Sequence, residues 1–240
     1  GQAPGLDRRP SLNVPTGRRT LLLLGGNEWR HGSEAADAWW LGRASRPHVT
    51  VVTSAAQDIP DTQVGWAASY FGEMGGTVDG CRIQTREDAA EPYLLEQLAG
   101  AAAIYLCGGD PAAARRVLAG SQAAEALRSA YRRGIPLAGS SAGAMVLSRA
   151  CLLPGQDFQL AEGIGLFGAV VVPHWSGAER RWTKMAAQLG REREVIGIDE
   201  STGVCWDGRE WVVRGPGRAV VVTASGEFEV GEGRPAPPVE

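Results

Sequence analysis

The chain has 240 residues, of which 44% are hydrophobic and 21% are charged, a composition typical of a globular protein. This length favours one large domain with a substantial core. The net charge of −3 and the lack of any Lys/Arg block argue against nucleic-acid binding. No apolar run approaches the roughly 20 residues that a membrane-spanning helix needs, so we expect no membrane association.

The two ends of the chain differ in composition from the part between them. Residues 1–18 are rich in Pro, Gly and Arg without periodicity or a signal-peptide core, which favours an extended arm. Residues 234–240 form a Pro-rich tail. We therefore expect a single α/β domain over residues 19–233.

The four cysteines lie far apart and form no C-x-x-C pair, which disfavours a zinc site. Widely spaced cysteines in apolar segments indicate buried free thiols in a reducing, cytoplasmic compartment. These residues are Cys81, Cys107, Cys151 and Cys205. We expect no metal and no cofactor, and a homodimer is compatible with the sequence.

Apolar runs and helix-forming segments alternate along the first two thirds of the chain. Buried strands are predicted at "RTLLLLGG", "HVTVVTSAA", "AAAIYLCGG" and "IPLAGSS", with a weaker strand at "TVDGCRIQT". Helices are predicted between them, with Ser33 and Asp61 as N-caps of the first two and Pro92 in the first turn of the third. This alternation predicts an α/β fold in which a mostly parallel sheet has helices on both faces.

The last third of the chain is richer in strands. Strands are predicted at "GAVVVPHW" and "EVIGIDEST", with a helix between them at "GAERRWTKMAAQLGRE". Two hairpins follow, with turns at Asp207-Gly208 and Ser225-Gly226. The fold is therefore expected to end in C-terminal β-hairpins.

One strand-to-helix junction has a pattern with chemical meaning. Residues 139–143 read Gly-Ser-Ser-Ala-Gly, which matches the G-x-S-x-G elbow that exposes a nucleophilic serine in a sharp turn. The alternative is a Gly/Ser loop without a chemical role. Ligands of parallel sheets bind beyond the carboxyl ends of the strands. The Gly25-Gly26 and Gly108-Gly109 strand ends lie at that edge, which favours a pocket at Ser141.

A serine nucleophile needs a base, and the base needs an orienting acid. His174 follows a buried run and lies at the carboxyl end of a strand, whereas His48 opens a strand at its amino end; His31 follows the first Gly-Gly end. Asp199 and Glu200 end the next strand. Adjacent strand residues point to opposite sides, so only one acid can face the histidine, and this parity does not choose between them.

The order of these residues along the chain also bears on the type of enzyme. Serine, histidine and then acid differs from the serine, acid, histidine order of α/β-hydrolases. A hydrolase of that type could use Asp157 or Glu162, but little chain then remains before His174 and no HGGG-like stretch is present. The α/β-hydrolase fold is therefore disfavoured.

The motifs "LLLLGGNE", "IYLCGGDP", "GSSAGA", "VVPHW" and "GIDEST" occur in the order found in the serine peptidases that include cyanophycinase and peptidase E. The chain resembles this family from about Arg19 to its final strands. The resemblance implies a three-layer α/β/α sandwich of the flavodoxin-like, class I glutamine amidotransferase-like type. It implies Ser141 as nucleophile, His174 as base and Glu200 as acid, with Asp199 as the second choice.

The resemblance also implies an oxyanion hole, formed by the amide of Ala142 and a glycine amide from Gly108 or Gly109. Substrate-binding candidates lie at the Gly-Gly strand ends and in the helix after the histidine. They are Asn27, Asp110, Arg180 and Arg181. A guanidinium group matches a substrate carboxylate, whereas the alternatives are turn residues and a solvated helix face.

Three positions depart from the cyanophycinase pattern. Pro111 stands where those enzymes have Gln, Trp175 replaces Phe, and Ala178 replaces an Arg, although Arg180 matches a later arginine. We therefore expect a peptidase or amidase that acts on small peptides or isopeptides and is not a true cyanophycinase. The alternatives are a non-catalytic, amidotransferase-like ligand-binding domain and a carboxylesterase.

Overall fold

The structure is a computed structural model that describes residues 19–153, 155, 158–177 and 180–236. The expected N-terminal arm, residues 1–18, lies outside the described residues, as do positions 237–240 of the expected tail. Asp157 and Ala178 also lie outside them.

Strands and helices alternate as the sequence predicts. The strands are β1 Leu21–Leu24, β2 His48–Val52, β3 Thr77–Cys81, β4 Ile104–Leu106, β5 Leu137–Ser140, β6 Ala150–Leu153, β7 Gln159–Glu162, β8 Val170–Val172, β9 Val195–Ile198, β10 Gly203–Trp206, β11 Trp211–Arg214, β12 Ala219–Thr223, β13 Gly226–Val230 and β14 Pro235–Ala236. The α-helices are α1 Glu34–Leu41, α2 Pro60–Glu73, α3 Pro92–Ala99, α4 Pro111–Leu118, α5 Gln122–Arg132, α6 Ala142–Leu147 and α7 Arg180–Leu189, with 3₁₀ turns at Asp88–Ala90 and Trp175–Gly177.

An eight-stranded sheet in the order β14-β11-β10-β1-β5-β4-β2-β3 forms the centre of the fold. Strands β1 to β5 pair in parallel, whereas β10, β11 and β14 extend the sheet in antiparallel fashion from β1. This confirms the predicted α/β class, the mostly parallel sheet and the C-terminal hairpins. Within the expected tail, Pro235–Ala236 forms β14, which pairs with β11.

The side chains of β1 alternate between two apolar cores, one on each face of this sheet. Leu21 and Leu23 pack with residues of α3 to α6, and Leu22 and Leu24 pack with Trp40 of α1 and with residues of α2. Period-two alternation with both faces buried is the pattern of a central strand. The fold is therefore the expected three-layer sandwich.

A second, four-stranded sheet in the order β13-β12-β9-β8 carries the strands that precede His174 and Asp199. Strands β8 and β9 pair in parallel, and β12 joins β9 in antiparallel fashion. A two-stranded β6–β7 hairpin also forms, which the sequence reasoning missed. The candidate serine and the candidate histidine therefore come from the ends of different sheets.

Two local predictions about helix caps need correction. Ser33 occupies the N-cap of α1, but its hydroxyl makes no capping bond and contacts the Arg30 carbonyl and the Tyr70 hydroxyl. Helix α2 begins at Pro60 rather than after Asp61, whose carboxylate pairs with Arg82 instead. Proline at the first helical position is favourable because its missing N–H has no partner there. None of the helices in the described part of the chain is long and apolar enough to cross a bilayer.

Candidate active site

Ser141 lies between β5 and α6 with φ 48° and ψ −114°, a backbone conformation that residues other than glycine rarely adopt. The flanking glycines allow the tight turn. A Cβ on Gly139 would lie 2.6 Å from the carbonyl carbon of Gly143, and a Cβ on Gly143 would lie 2.1 Å from the Leu106 oxygen. Because both positions are glycine, β5 and α6 can approach each other closely. This close approach holds the serine in its strained conformation.

Ser141, His174 and Glu200 are brought together in one hydrogen-bonded row. The Ser141 Oγ lies 2.9 Å from His174 Nε2, and His174 Nδ1 lies 2.7 Å from Glu200 Oε1. A carboxylate only accepts, so Nδ1 carries the proton and Nε2 is left to accept from the serine hydroxyl. This tautomer is the one that a general base for serine requires.

The backbone at the end of β1 binds the three loops that carry Ser141, His174 and Glu200. The successive carbonyls of residues 24–26 accept hydrogen bonds from the amides of Ser141, His174 and Ser201, at 3.0, 2.8 and 2.9 Å respectively. The serine loop, the histidine loop and the loop that follows Glu200 are therefore aligned on one short stretch of chain. Loops fixed to a rigid strand hold their side chains more accurately than free loops do.

Both glycines of this stretch are needed for close contacts. A Cβ on Gly26, which has φ +115°, would lie 2.2 Å from Cε1 of the His174 ring. A Cβ on Gly25 would lie 2.1 Å from the carbonyl oxygen of Asp199. The first Gly-Gly strand end therefore makes room for the imidazole and for the chain that leads to Glu200.

Asp199 points away from the imidazole. Its side chain is buried, and Oδ1 accepts hydrogen bonds from the Ser176 amide at 2.9 Å and the Ser176 hydroxyl at 2.6 Å. Its Oδ2 accepts from the Arg218 amide at 3.1 Å. Asp199 thus ties the turn after His174 to the start of β12, and Glu200 is the carboxylate at the histidine.

The glycine pair after β4 contributes to the candidate oxyanion hole with only one of its two amides. The Gly108 amide donates to Glu28 Oε1 at 2.6 Å, so it is not available to a substrate oxygen. Within the described residues, neither the Gly109 amide nor the Ala142 amide has a hydrogen-bond partner. Gly109 has φ +139°, and a Cβ there would lie 2.2 Å from the Ala55 oxygen. The candidate donors are therefore Gly109 and Ala142.

The predicted substrate-binding residues have mixed environments. Asn27 donates from Nδ2 to the Ser201 hydroxyl at 2.8 Å, so it braces the loop after Glu200. Asp110 is the N-cap of α4 and accepts from the Ala112 amide at 2.8 Å, which is the turn role that the sequence left open. Helix α7 begins at Arg180, but the side chains of Arg180 and Arg181 lie outside the described residues.

The remaining two histidines have other partners. His31 lies beside Glu34 on the surface, and the ring of His48 contacts Thr77 and Asp79 at the amino end of β2.

Sequence reasoning missed Glu28, a half-buried residue in the "GGNE" motif that contacts both Gly108 and Ser140. The signal that could have found it is an acidic residue directly after a Gly-Gly strand end, at the edge of the sheet where the serine elbow lies.

Comparisons with known proteins agree with this architecture. The sequence model of peptidase family S51 matches residues 21–213. Comparison with curated proteins found no match. Among solved structures, a peptidase from an acI-B1 Actinobacterium is 24% identical with a TM-score of 0.77, covering 92% of this chain and 97% of that chain. A putative peptidase E protein from Listeria monocytogenes EGD-e is 14% identical with a TM-score of 0.61, covering 82% of this chain and 98% of that chain. Since the family match spans well over half of the chain, the protein belongs to peptidase family S51 and is a serine peptidase.

Proposed function

We propose that the protein hydrolyses the amide bond of small peptides or isopeptides through a Ser141-His174-Glu200 triad. The observation that carries this proposal is the row of contacts from Ser141 Oγ to His174 Nε2 at 2.9 Å and from His174 Nδ1 to Glu200 at 2.7 Å. The strained backbone of Ser141 adds to it, because strain of this kind is concentrated at functional sites.

In the first half of the reaction, Ser141 Oγ attacks the carbonyl carbon while His174 Nε2 takes the hydroxyl proton. The oxyanion that forms accepts hydrogen bonds from the amides of Gly109 and Ala142. Each such donor contributes about 3 kcal/mol to transition-state stabilisation. The histidine then gives the proton to the leaving amine, the C–N bond breaks, and an acyl-enzyme remains.

In the second half, His174 takes a proton from water and the resulting hydroxide attacks the ester carbon of the acyl-enzyme. The proton returns to Ser141 Oγ as the C–O bond breaks. Glu200 accepts from Nδ1 throughout, which holds the ring in the productive tautomer and stabilises the imidazolium of each transition state.

The small size of the substrate is inferred from the resemblance to peptidase E and from the solved structure described as a putative peptidase E. We propose that Arg180 and Arg181 bind the substrate carboxylate, because α7 begins at Arg180, shortly after the Trp175–Gly177 turn that follows His174. Cyanophycin is not expected as substrate, since Pro111 and Ala178 replace the glutamine and arginine of that pattern.

We also propose a reducing compartment such as the cytoplasm. The four cysteines are free and buried. Burial raises the pKa values of the Cys81, Cys151 and Cys205 thiols to about 12. Thiols in such surroundings are protonated and inert, and they fit structural roles in a core.

The test is a dipeptide library assayed together with a fluorophosphonate probe and peptide mapping of the labelled serine. We expect label at Ser141 and dipeptide cleavage, with Ser141→Ala lowering turnover by several powers of ten. Ser225→Ala, in the exposed turn before β13, is the matched control and should label and cleave normally.

The other outcomes separate the competing functions. Labelling with cleavage of p-nitrophenyl esters and of no dipeptide would identify a carboxylesterase. A protein that neither labels nor cleaves would be a ligand-binding domain on this fold. Label at Ser140 would overturn the assignment of the nucleophile.

A further inference from the structure

We infer that Glu28 is a positioning residue of the peptidase, whose carboxylate clamps the Gly108-Gly109 loop to the serine elbow. This inference rests on the proposed function, in which Gly109 and Ser141 take part in the reaction. The clamp itself is a feature of the fold that is measurable without a substrate.

The carboxylate bridges the ends of two neighbouring parallel strands. Its Oε1 accepts from the Gly108 amide at 2.6 Å, and its Oε2 accepts from the Ser140 hydroxyl at 2.7 Å. Gly108 comes shortly after β4, and Ser140 is the last residue of β5. Each anchored residue directly precedes a group of the proposed mechanism, the Gly109 amide in one case and Ser141 in the other.

The turn after β1 is shaped to present this carboxylate. Asn27 and Trp29 have φ values of 61° and 58°, so Glu28 lies between two residues in a left-handed conformation. Such conformations persist only where surrounding contacts determine them. Trp29 is buried with its ring 5.4 Å from that of Tyr105, and Asn27 donates to Ser201.

The type of residue at position 108, whose amide donates to Glu28, also matters for this contact. A Cβ on Gly108 would lie 2.6 Å from Glu28 Oε1, so a larger residue here would shift the carboxylate from its position over this amide. With its N–H directed at Glu28, the orientation of the Gly108 backbone is set, and the neighbouring Gly109 amide is left without a partner among the described residues. Misplacing a reacting group by about 1 Å can cost roughly 10²-fold in rate.

The alternative is that Glu28 binds the amino group of a substrate. Among the described residues, no Lys or Arg forms an ion pair with Glu28, so this role is an alternative that the test must separate from the clamp. The two roles differ in what they require. A clamp requires hydrogen-bond acceptance and acts on kcat, whereas ammonium binding requires the negative charge and acts on KM.

The test compares Glu28→Ala with Glu28→Gln in the full chain. A glutamine oxygen can accept from the Gly108 amide while its NH₂ donates to the Ser140 hydroxyl, so both bonds persist without the charge. We expect Glu28→Ala to lower kcat by roughly 10²-fold with little change in KM. Glu28→Gln should stay within about fivefold of the parent in both constants.

Hydrogen exchange at the Gly108 amide supplies the readout that needs no activity. We expect strong protection in the parent and in Glu28→Gln, and at least about tenfold faster exchange in Glu28→Ala. If Glu28→Ala fails to fold, Ser140→Ala removes one anchor and should lower kcat by a smaller factor, with Gly108 still protected.

The inference is overturned if Glu28→Gln loses as much activity as Glu28→Ala, or if KM rises at constant kcat, since either result assigns a role to the charge. Unchanged Gly108 exchange in Glu28→Ala would also overturn it. If the parent protein shows no labelling by fluorophosphonate, the proposed function fails, whereas the exchange experiment still decides whether the clamp exists.

Discussion

Replacing Glu200 and Asp199, one at a time, by the corresponding amides should separate an effect on catalysis from an effect on stability. Glu200→Gln should lower turnover and leave the fold intact, because the Glu200 side chain is largely exposed and, among the described residues, its carboxylate contacts His174 alone. Asp199→Asn should lower the free energy of unfolding, because Asp199 is buried and accepts three hydrogen bonds.

The size of the first effect follows from the exposure of the pair. The side chains of His174 and Glu200 are 44% and 59% exposed, so solvent screens their interaction. Opposite charges about 4 Å apart attract by about 1 kcal/mol in water and about 4 kcal/mol at an effective dielectric constant near 20. A glutamine NH₂ directed at Nδ1 would also favour the wrong tautomer. We therefore expect a loss in kcat of roughly 10²- to 10³-fold, below the roughly 10⁴-fold seen for a buried triad acid.

The size of the second effect follows from hydrogen-bond chemistry. An asparagine at position 199 can accept from Ser176 through its oxygen, but its NH₂ group must then face the Arg218 amide, which is also a donor. One unsatisfied buried donor costs about 1–3 kcal/mol, a sizeable part of the roughly 5–15 kcal/mol that stabilises a domain. The kcat of the folded variant should stay within about fivefold of the parent.

The measurements are kcat on the best dipeptide and urea unfolding for each variant. A large loss of kcat in well-folded Asp199→Asn with little loss in Glu200→Gln would assign the acid to Asp199 and refute the reasoning. Small effects of both on kcat would indicate a Ser-His dyad.

Three further predictions concern the space around the histidine, a buried acid and the thiols. Gly26→Ala should lower kcat by at least about 10²-fold, because its methyl group would lie 2.2 Å from Cε1 of His174. Gly72→Ala in α2, where a Cβ meets nothing within 4 Å, is the control and should keep full activity, so equal activity of both variants would contradict the steric argument. Burial raises the pKa of Asp37 from 3.8 to about 7, so the stability it contributes is complete below about pH 4 and is lost as the pH rises through about 7. Asp37→Asn should therefore remove up to about 4 kcal/mol of the change in the free energy of unfolding between about pH 4 and pH 8, measured in urea. If the free energy of unfolding changes with pH by the same amount in the parent and in the variant, this assignment is wrong. The four buried thiols should react with a disulfide reagent only after unfolding, and rapid reaction of the native protein would show that the core is open to solvent.

Several features of this protein follow from its sequence without a structure. The alternation of apolar runs and helical segments predicts the parallel sheet, since these patterns depend on local backbone periodicity. The G-x-S-x-G pattern predicts the elbow because its glycines are needed for the turn itself, since a Cβ at Gly139 or Gly143 would overlap neighbouring backbone atoms. The motifs from "GGNE" to "GIDEST" indicate the family, and the match over residues 21–213 confirms it.

Other features depend on contacts between distant parts of the chain. The sequence predicts Asp199 and Glu200 as the last residues of a strand, but β9 ends at Ile198 and both acids lie in the turn that follows it. Which of them faces His174 therefore depends on how this turn packs beside the end of β1. The choice between Gly108 and Gly109 as the proposed oxyanion donor rests on Glu28, which lies 80 residues from Gly108 and 112 from Ser140 in sequence. Periodicity and turn chemistry act over a few residues. Glu28, Gly108 and Ser140 meet only because β1, β5 and β4 lie side by side in this order in the sheet. The tertiary structure alone therefore decides which side chains meet at the ends of β1, β4 and β5.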